Sequence, residues 1–117
     1  MSIMELVQHI VLLLHLIAFA ALFGGILVQL RAREPEVNAA MLHGSYTMLV
    51  TGLALLVFGE LGPHPVNHVK YGIKLLVALI ITVLVILNRR FTTIPRGLLA
   101  MLGVLTLGNA ALAVLWQ

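Results

Sequence analysis

Apolar residues lie along the chain in four long runs, and polar residues are concentrated in the short stretches between them. The runs cover residues 3–30, 39–59, 67–88 and 97–116. Each run reaches the roughly 20 residues that a helix needs to cross about 30 Å of hydrocarbon. A segment in lipid must satisfy its own backbone hydrogen bonds, so the four runs are predicted to be transmembrane helices.

The connecting stretches contain residues that stop helices. Residues 60–67 include two prolines and a glycine, and residues 88–96 include Pro95, with Thr93 as a candidate cap for the last helix. Short connections favour antiparallel neighbours. The sequence therefore predicts an all-α fold, with residues 1–117 forming one transmembrane domain, an up-down-up-down four-helix bundle. No basic stretch precedes the first run, so we expect a retained helix and not a cleaved signal.

The basic residues predict the orientation in the membrane. All five arginines lie in or beside the first and third connections, whereas Lys70 and Lys74 follow the second. Connections that are rich in arginine and lysine usually face the cytoplasm. We therefore expect loops 31–38 and 89–96 to be cytoplasmic in a multi-pass cell-membrane protein, with both termini outside. Tyr71 and Trp116 would then lie in the outer interfacial belt.

Composition supports a membrane protein and excludes several other classes. Hydrophobic residues make up 62% of the chain and charged residues 9%, compared with about 45–50% and about 25% in soluble domains. The net charge of +3 is spread over the ends of the apolar runs, which indicates a lipid bilayer as partner and not nucleic acid. There are no cysteines, which excludes thiolate metal sites and thiol nucleophiles.

Ionisable residues within a membrane span are costly and indicate function. At 1.5 Å per residue, His15 lies about 18 Å from the outer end of the first helix. Thr51, Lys74 and Asn109 each lie about 10–14 Å from the outer ends of their helices. These four residues are therefore predicted to form one polar layer inside the bundle, and they are candidate cofactor-binding residues.

Two further histidines are candidate second ligands for a cofactor at His15. His9 lies closer to the outer surface, and His43 lies one turn inside the second helix at its cytoplasmic end. The depth of His43 differs from that of His15 by roughly 16 Å, which makes the two a poor axial pair in straight helices. His43 is also expected as an interfacial histidine, because amphipathic side chains favour that position. Lys74 either supplies a ligand or partner group or extends to the outer interface.

A second candidate site lies at the outer surface. Imidazole and carboxylate ligands suit zinc or copper(II), and the alternative is that these side chains are simply solvated. The candidate metal ligands are His9, Glu60, His64 and His68.

Three segments resemble a known family. His15-Leu-Ile-Ala-Phe-Ala-Ala-Leu-Phe-Gly24-Gly25 resembles the first helix of the copper resistance protein D (CopD) domain, although Leu22 and Phe23 stand where the family has a Trp. Thr51-Gly52 is similar to its second helix, and the stretch 71–90, from Tyr-Gly-Ile-Lys to Asn-Arg-Arg, is similar to its third. HemJ-type protoporphyrinogen oxidases share the layout of intramembrane His and Lys. The resemblance implies handling of haem b or copper centred on His15 and Lys74.

The first functional hypothesis is accordingly a membrane protein that binds haem b, or alternatively copper or zinc, for redox chemistry or cofactor handling. A small-molecule or ion transporter is the second, although no acidic residue lies deep in a span. The third is an accessory subunit of a larger membrane complex, and a homodimer is also compatible with the sequence. No catalytic motif is present, so an oxidoreductase activity would depend on a bound cofactor.

Overall fold

The computed structural model describes residues 2–63 and 65–116, and in this part of the chain it is all-helical. The helices are α1 (Ile3–Leu30), α2 (Ala39–Leu61), α3 (His68–Asn88) and α4 (Arg96–Leu115). All four are long and apolar enough to cross a membrane. The predicted all-α four-helix architecture is confirmed, and the chain is a multi-pass membrane protein.

Polar residues define the ends of the helices. Ser2, Asn38 and Asn67 cap α1, α2 and α3, each accepting a hydrogen bond from a backbone N–H in the first turn. The prediction for α4 was wrong in detail, because Pro95 occupies the N-cap and no side chain caps this helix. Proline fits there because it has no N–H to leave unpaired.

Each helix contacts the helix that follows it in the chain, and α4 also contacts α1. The four helices therefore form a closed ring in which neighbouring helices run in opposite directions. The bundle is 49 Å long, which exceeds the roughly 30 Å of a hydrocarbon core. Large apolar side chains cover its outer surface; Leu13, Val50 and Val104 are 56%, 66% and 70% exposed. Such a surface suits acyl chains.

The α1–α2 contact is the most extensive in the bundle. A Cβ added at Gly44 would lie 2.8 Å from the backbone nitrogen of Leu22 and 2.9 Å from the carbonyl oxygen of Ala18. Only glycine allows the two backbones this separation, as is common where helices pack in membranes. This close approach brings the following turns of α2 against α1, where His15 lies.

The two ends of the bundle differ. We call the end with loops 31–38 and 89–95 the arginine end, and the end with both termini and residues 62–67 the terminal end. At the arginine end the loops are joined, because the Ile94 N–H donates to the Pro35 carbonyl at 2.7 Å and the Arg96 guanidinium donates to the Leu30 and Ala32 carbonyls. The half of the bundle nearest this end is filled by buried apolar side chains, which we call the apolar seal: Leu22, Ile26, Met41, Val85, Ile94, Leu99 and Leu102.

Candidate functional site

His15 is held by a side chain from the neighbouring helix. Its Nδ1 lies 2.7 Å from the Thr51 hydroxyl oxygen. That hydroxyl donates its own proton to the Thr47 carbonyl at 2.6 Å, so it serves as acceptor for His15. The proton of a neutral His15 ring is therefore assigned to Nδ1, and Nε2 is the nitrogen with a free lone pair.

Gly52 gives the imidazole its space. A Cβ at this position would lie 3.4 Å from His15 Cε1, so the ring packs directly over the α2 backbone. Thr51 and Gly52 thus act as a pair, the first by hydrogen bonding and the second by its small size. Thr51 is itself buried, which shields the hydrogen bond from competing groups.

Lys74 and Asn109 complete the polar group from the other two helices. The Asn109 amide donates to the Lys74 backbone carbonyl at 3.2 Å. Asn109 is only 6% exposed, yet its Oδ1 has no hydrogen-bond partner among the described residues. A buried oxygen without a partner costs about 1–3 kcal/mol, and such an atom calls for a water or a ligand.

These side chains surround a small inner cavity of about 30 Å³. A cavity above roughly 10–15 Å³ holds a water molecule if polar groups line it. The polar side chains that line it are those of His15, Tyr71, Lys74 and Asn109. The lining residues are His15, Met48, Gly52, Leu55, Tyr71, Lys74, Leu75, Ala78 and Asn109.

A side groove of about 220 Å³ adjoins the same polar group between α1 and α4. His15, Lys74 and Asn109 line its inner end. Its other lining residues are Leu16, Phe19, Met48, Ala110, Ala113 and Val114. Because Leu16 and Val114 are exposed on the bundle surface, the groove opens toward lipid.

The donor set suits a haem iron better than a bare metal ion. One neutral imidazole suffices as the axial ligand of a haem, whereas zinc sites have three or four protein ligands. Among the described lining residues His15 supplies one imidazole and there is no carboxylate, while the Asn109 oxygen, the Tyr71 hydroxyl and the Met48 thioether also carry lone pairs, beside the cationic Lys74. The groove is smaller than the roughly 300–1,000 Å³ of pockets that enclose a drug-sized ligand. One copy of the chain therefore encloses only part of a macrocycle.

The other predicted ligands are dispersed. His43 is exposed near the arginine end, and His9 Nδ1 hydrogen-bonds the Glu5 carbonyl of its own helix at 2.6 Å. His68 Nε2 contacts the Glu60 carboxylate on the exposed surface of the terminal end. The described residues contain no group of three or more His, Cys, Asp or Glu side chains that could hold a metal ion. His64, the fourth predicted ligand of the outer metal site, lies outside the described residues.

The remaining buried hydroxyls are satisfied locally. Ser45, Thr82 and Thr106 each donate to a carbonyl one turn earlier in their own helix. They therefore need no ligand.

Tyr71, assigned from sequence to the interfacial belt, also lines the inner cavity, and its ring centroid lies 5.1 Å from the Lys74 ammonium. The spacing of three residues between Tyr71 and Lys74 was the available signal, since it places both on one helix face.

Comparisons of the chain with protein-family models, curated proteins and solved structures find no match.

Proposed function

We propose that this membrane protein binds haem b inside the bundle, with His15 Nε2 as the axial ligand. The observation that carries the proposal is the hydrogen bond between His15 and Thr51. Histidines that ligate metals usually donate the other ring N–H to a fixed partner, which sets the tautomer and orientation of the ring. Thr51 is such a partner, and it leaves Nε2 for the iron.

Lys74 and the side groove support haem over copper or zinc, which are the alternative cofactors. The Lys74 ammonium would pair with a propionate and would repel a free divalent cation. The apolar groove between α1 and α4 would receive part of the macrocycle. Because the groove is open, a second copy of the chain or lipid would have to cover the rest, so the proposal includes a homodimer or a larger membrane complex.

The motifs around His15, Thr51 and Lys74 give the proposal a second, independent basis, because they resemble the CopD and HemJ layout. We also propose the orientation expected from the arginines, with loops 31–38 and 89–96 in the cytoplasm and both termini outside. Arg31, Arg33, Arg89 and Arg90 are exposed at the arginine end, where they suit contact with headgroups and cytoplasmic water.

The test is the absorption spectrum and metal content of protein purified from cells supplied with haem. The wild type is expected to show a Soret band and about one iron per chain or per dimer. His15→Ala should lose the band, whereas His43→Ala, a histidine exposed on the outside of α2, should keep it. A colourless preparation without iron, copper or zinc, which also fails to take up added haem in detergent, would rule the proposal out.

A further inference from the structure

A second and larger cavity lies at the terminal end, which we call the vestibule. It measures about 460 Å³ and is bounded by the end of α2, the residues that follow it and the start of α3. Polar groups come from Gln8, Asn67, Lys70 and Tyr71, and the other lining residues are Phe58, Gly59, Gly62, Pro63, Pro65 and Val66. A cavity of this size beside exposed loop residues holds many water molecules.

Tyr71 separates the vestibule from the inner cavity. It is the residue that lines both spaces. Lys70 lines the vestibule and Lys74 lines the inner cavity, and their ammonium groups lie 6.0 Å and 5.1 Å from the Tyr71 ring centroid. Both ammonium groups, which are one helical turn apart on α3, therefore lie close to the ring of the residue that the two spaces share.

The charges along this route have one sign. Among the described lining residues of the two cavities there are two lysines and no aspartate or glutamate. Glu60, in the last turn of α2, contacts His68 on the exposed surface and is not among the residues that line the vestibule. A cleft lined by charges of one sign raises the local concentration of solutes of the opposite charge. The association rate of such solutes rises by about 10- to 1,000-fold.

The route ends inside the protein. Below the polar group, the apolar seal fills the half of the bundle nearest the arginine end, and Ile26, Met41 and Leu99 are each 0% exposed. The space beside Ser45 and Thr82 measures only about 10 Å³, which is at the lower limit for a single water. Among the described residues, the apolar seal therefore lies between the arginine end and the polar group at His15.

We propose that the vestibule, Tyr71 and the inner cavity form an entry path for small hydrophilic anions, open from the terminal end only, with Tyr71 as its gate. The path delivers such anions to Lys74, Asn109 and His15. This inference goes beyond the cofactor proposal and does not depend on it, because it concerns access to the polar group whether or not haem is bound.

The absence of cysteine from the sequence makes the path directly measurable. Ala78→Cys places a thiol in the lining of the inner cavity, and Ala18→Cys places one in the buried α1–α2 contact, outside the described cavities, as a matched control. Ser2→Cys and Arg33→Cys, both exposed, mark the terminal and arginine ends. Each variant is reconstituted into vesicles and treated from outside with a membrane-impermeant methanethiosulfonate, either the anionic sulfonatoethyl or the cationic trimethylammonium form.

Three results are expected. The fraction of Ala78→Cys molecules that react should equal the fraction measured for Ser2→Cys and not the complementary fraction measured for Arg33→Cys, and Ala18→Cys should stay unreacted. Relative to the Ser2→Cys rates, the anionic reagent should be at least about tenfold faster than the cationic one at Ala78→Cys, and Lys70→Met should reduce this preference. Adding Tyr71→Ala to Ala78→Cys should raise the reaction rate severalfold.

The opposite results would overturn the proposal. Reaction of Ala78→Cys from the Arg33→Cys side would place the entry at the wrong end. Equal rates for the two reagents would remove the anion selectivity, and an unchanged rate with Tyr71→Ala would remove the gate. Tyr71→Leu provides a second gate variant if Tyr71→Ala fails to elute as folded protein. The haem spectrum is measured separately, so loss of the cofactor proposal and loss of the entry path are distinct outcomes.

Discussion

Gly44→Ala tests the contact on which the position of His15 depends. The added Cβ would meet the Leu22 nitrogen at 2.8 Å, about 0.6 Å inside the 3.4 Å at which ordinary van der Waals contact begins. The atoms that it meets belong to the α1 backbone, so no side chain can rotate away, and α1 and α2 must move apart. Overpacking of this kind costs about 1–3 kcal/mol.

The assay is reversible unfolding of the purified protein in mixed micelles, with the fraction of denaturing detergent as the variable. Gly44→Ala should unfold at a lower fraction than wild type. Gly24→Ala is the matched control, because a Cβ there meets nothing within 4 Å. It should be neutral, or more stable by up to about 1 kcal/mol from the better helix propensity of alanine. If the two variants unfold together, the close contact at Gly44 does not limit the packing.

Three smaller predictions follow from single hydrogen bonds. Thr51→Val removes the acceptor of the His15 N–H and should lower the free energy of unfolding by about 0.6–1.7 kcal/mol. ¹⁵N NMR of the imidazole should then show loss of the fixed tautomer, whereas Thr51→Ser should keep the wild-type stability and tautomer. Equal spectra for the wild type, Thr51→Val and Thr51→Ser would refute the tautomer assignment. Arg96→Gln should cost about 1 kcal/mol in the same unfolding assay, because its guanidinium binds carbonyls at the end of α1; Arg33→Gln, at an exposed position, should not. Asn109→Leu removes the unpaired buried oxygen together with the amide bond to the Lys74 carbonyl, so the two effects should offset each other and stability should change by less than about 1 kcal/mol, while haem uptake and anion entry are impaired. A large loss of stability together with unchanged haem uptake would contradict the role given to Asn109.

The sequence predicted the architecture well because lipid restricts the choices. Runs of about 20 apolar residues become helices in a bilayer whatever their local propensities. Helix ends were less predictable, since they depend on single residues. The last helix begins after Pro95 and not under a Thr93 cap, and α2 continues to Leu61, beyond the predicted end at residue 59.

The site was only partly predictable, because sequence gives depth but not rotation about the helix axis. The rise per residue placed His15, Thr51, Lys74 and Asn109 in one layer, and the structure has His15 bonded to Thr51 and Asn109 bonded to the Lys74 backbone. The sequence predicts His15 inside the bundle and His43 at the interface, but it also leaves His43 as a candidate second ligand, which the structure does not place near His15. His43 points out of the bundle, because Gly44, its neighbour, is the residue that packs on α1.

The division of the bundle into a polar half and a sealed half favours binding over transport. A transporter must expose one site to each side of the membrane in turn. Opening the arginine end would separate Leu99 from its buried neighbours and break the 2.7 Å bond from Ile94 to Pro35 that joins the two loops. The Arg96 guanidinium, which binds the end of α1, would also lose its acceptors. No carboxylate lies deep in a span, where its protonation could drive such a change, because Glu5 and Glu60 lie in the terminal turns of α1 and α2. A site with the proposed access from the terminal end, and with the apolar seal toward the arginine end, would be suited to holding a ligand.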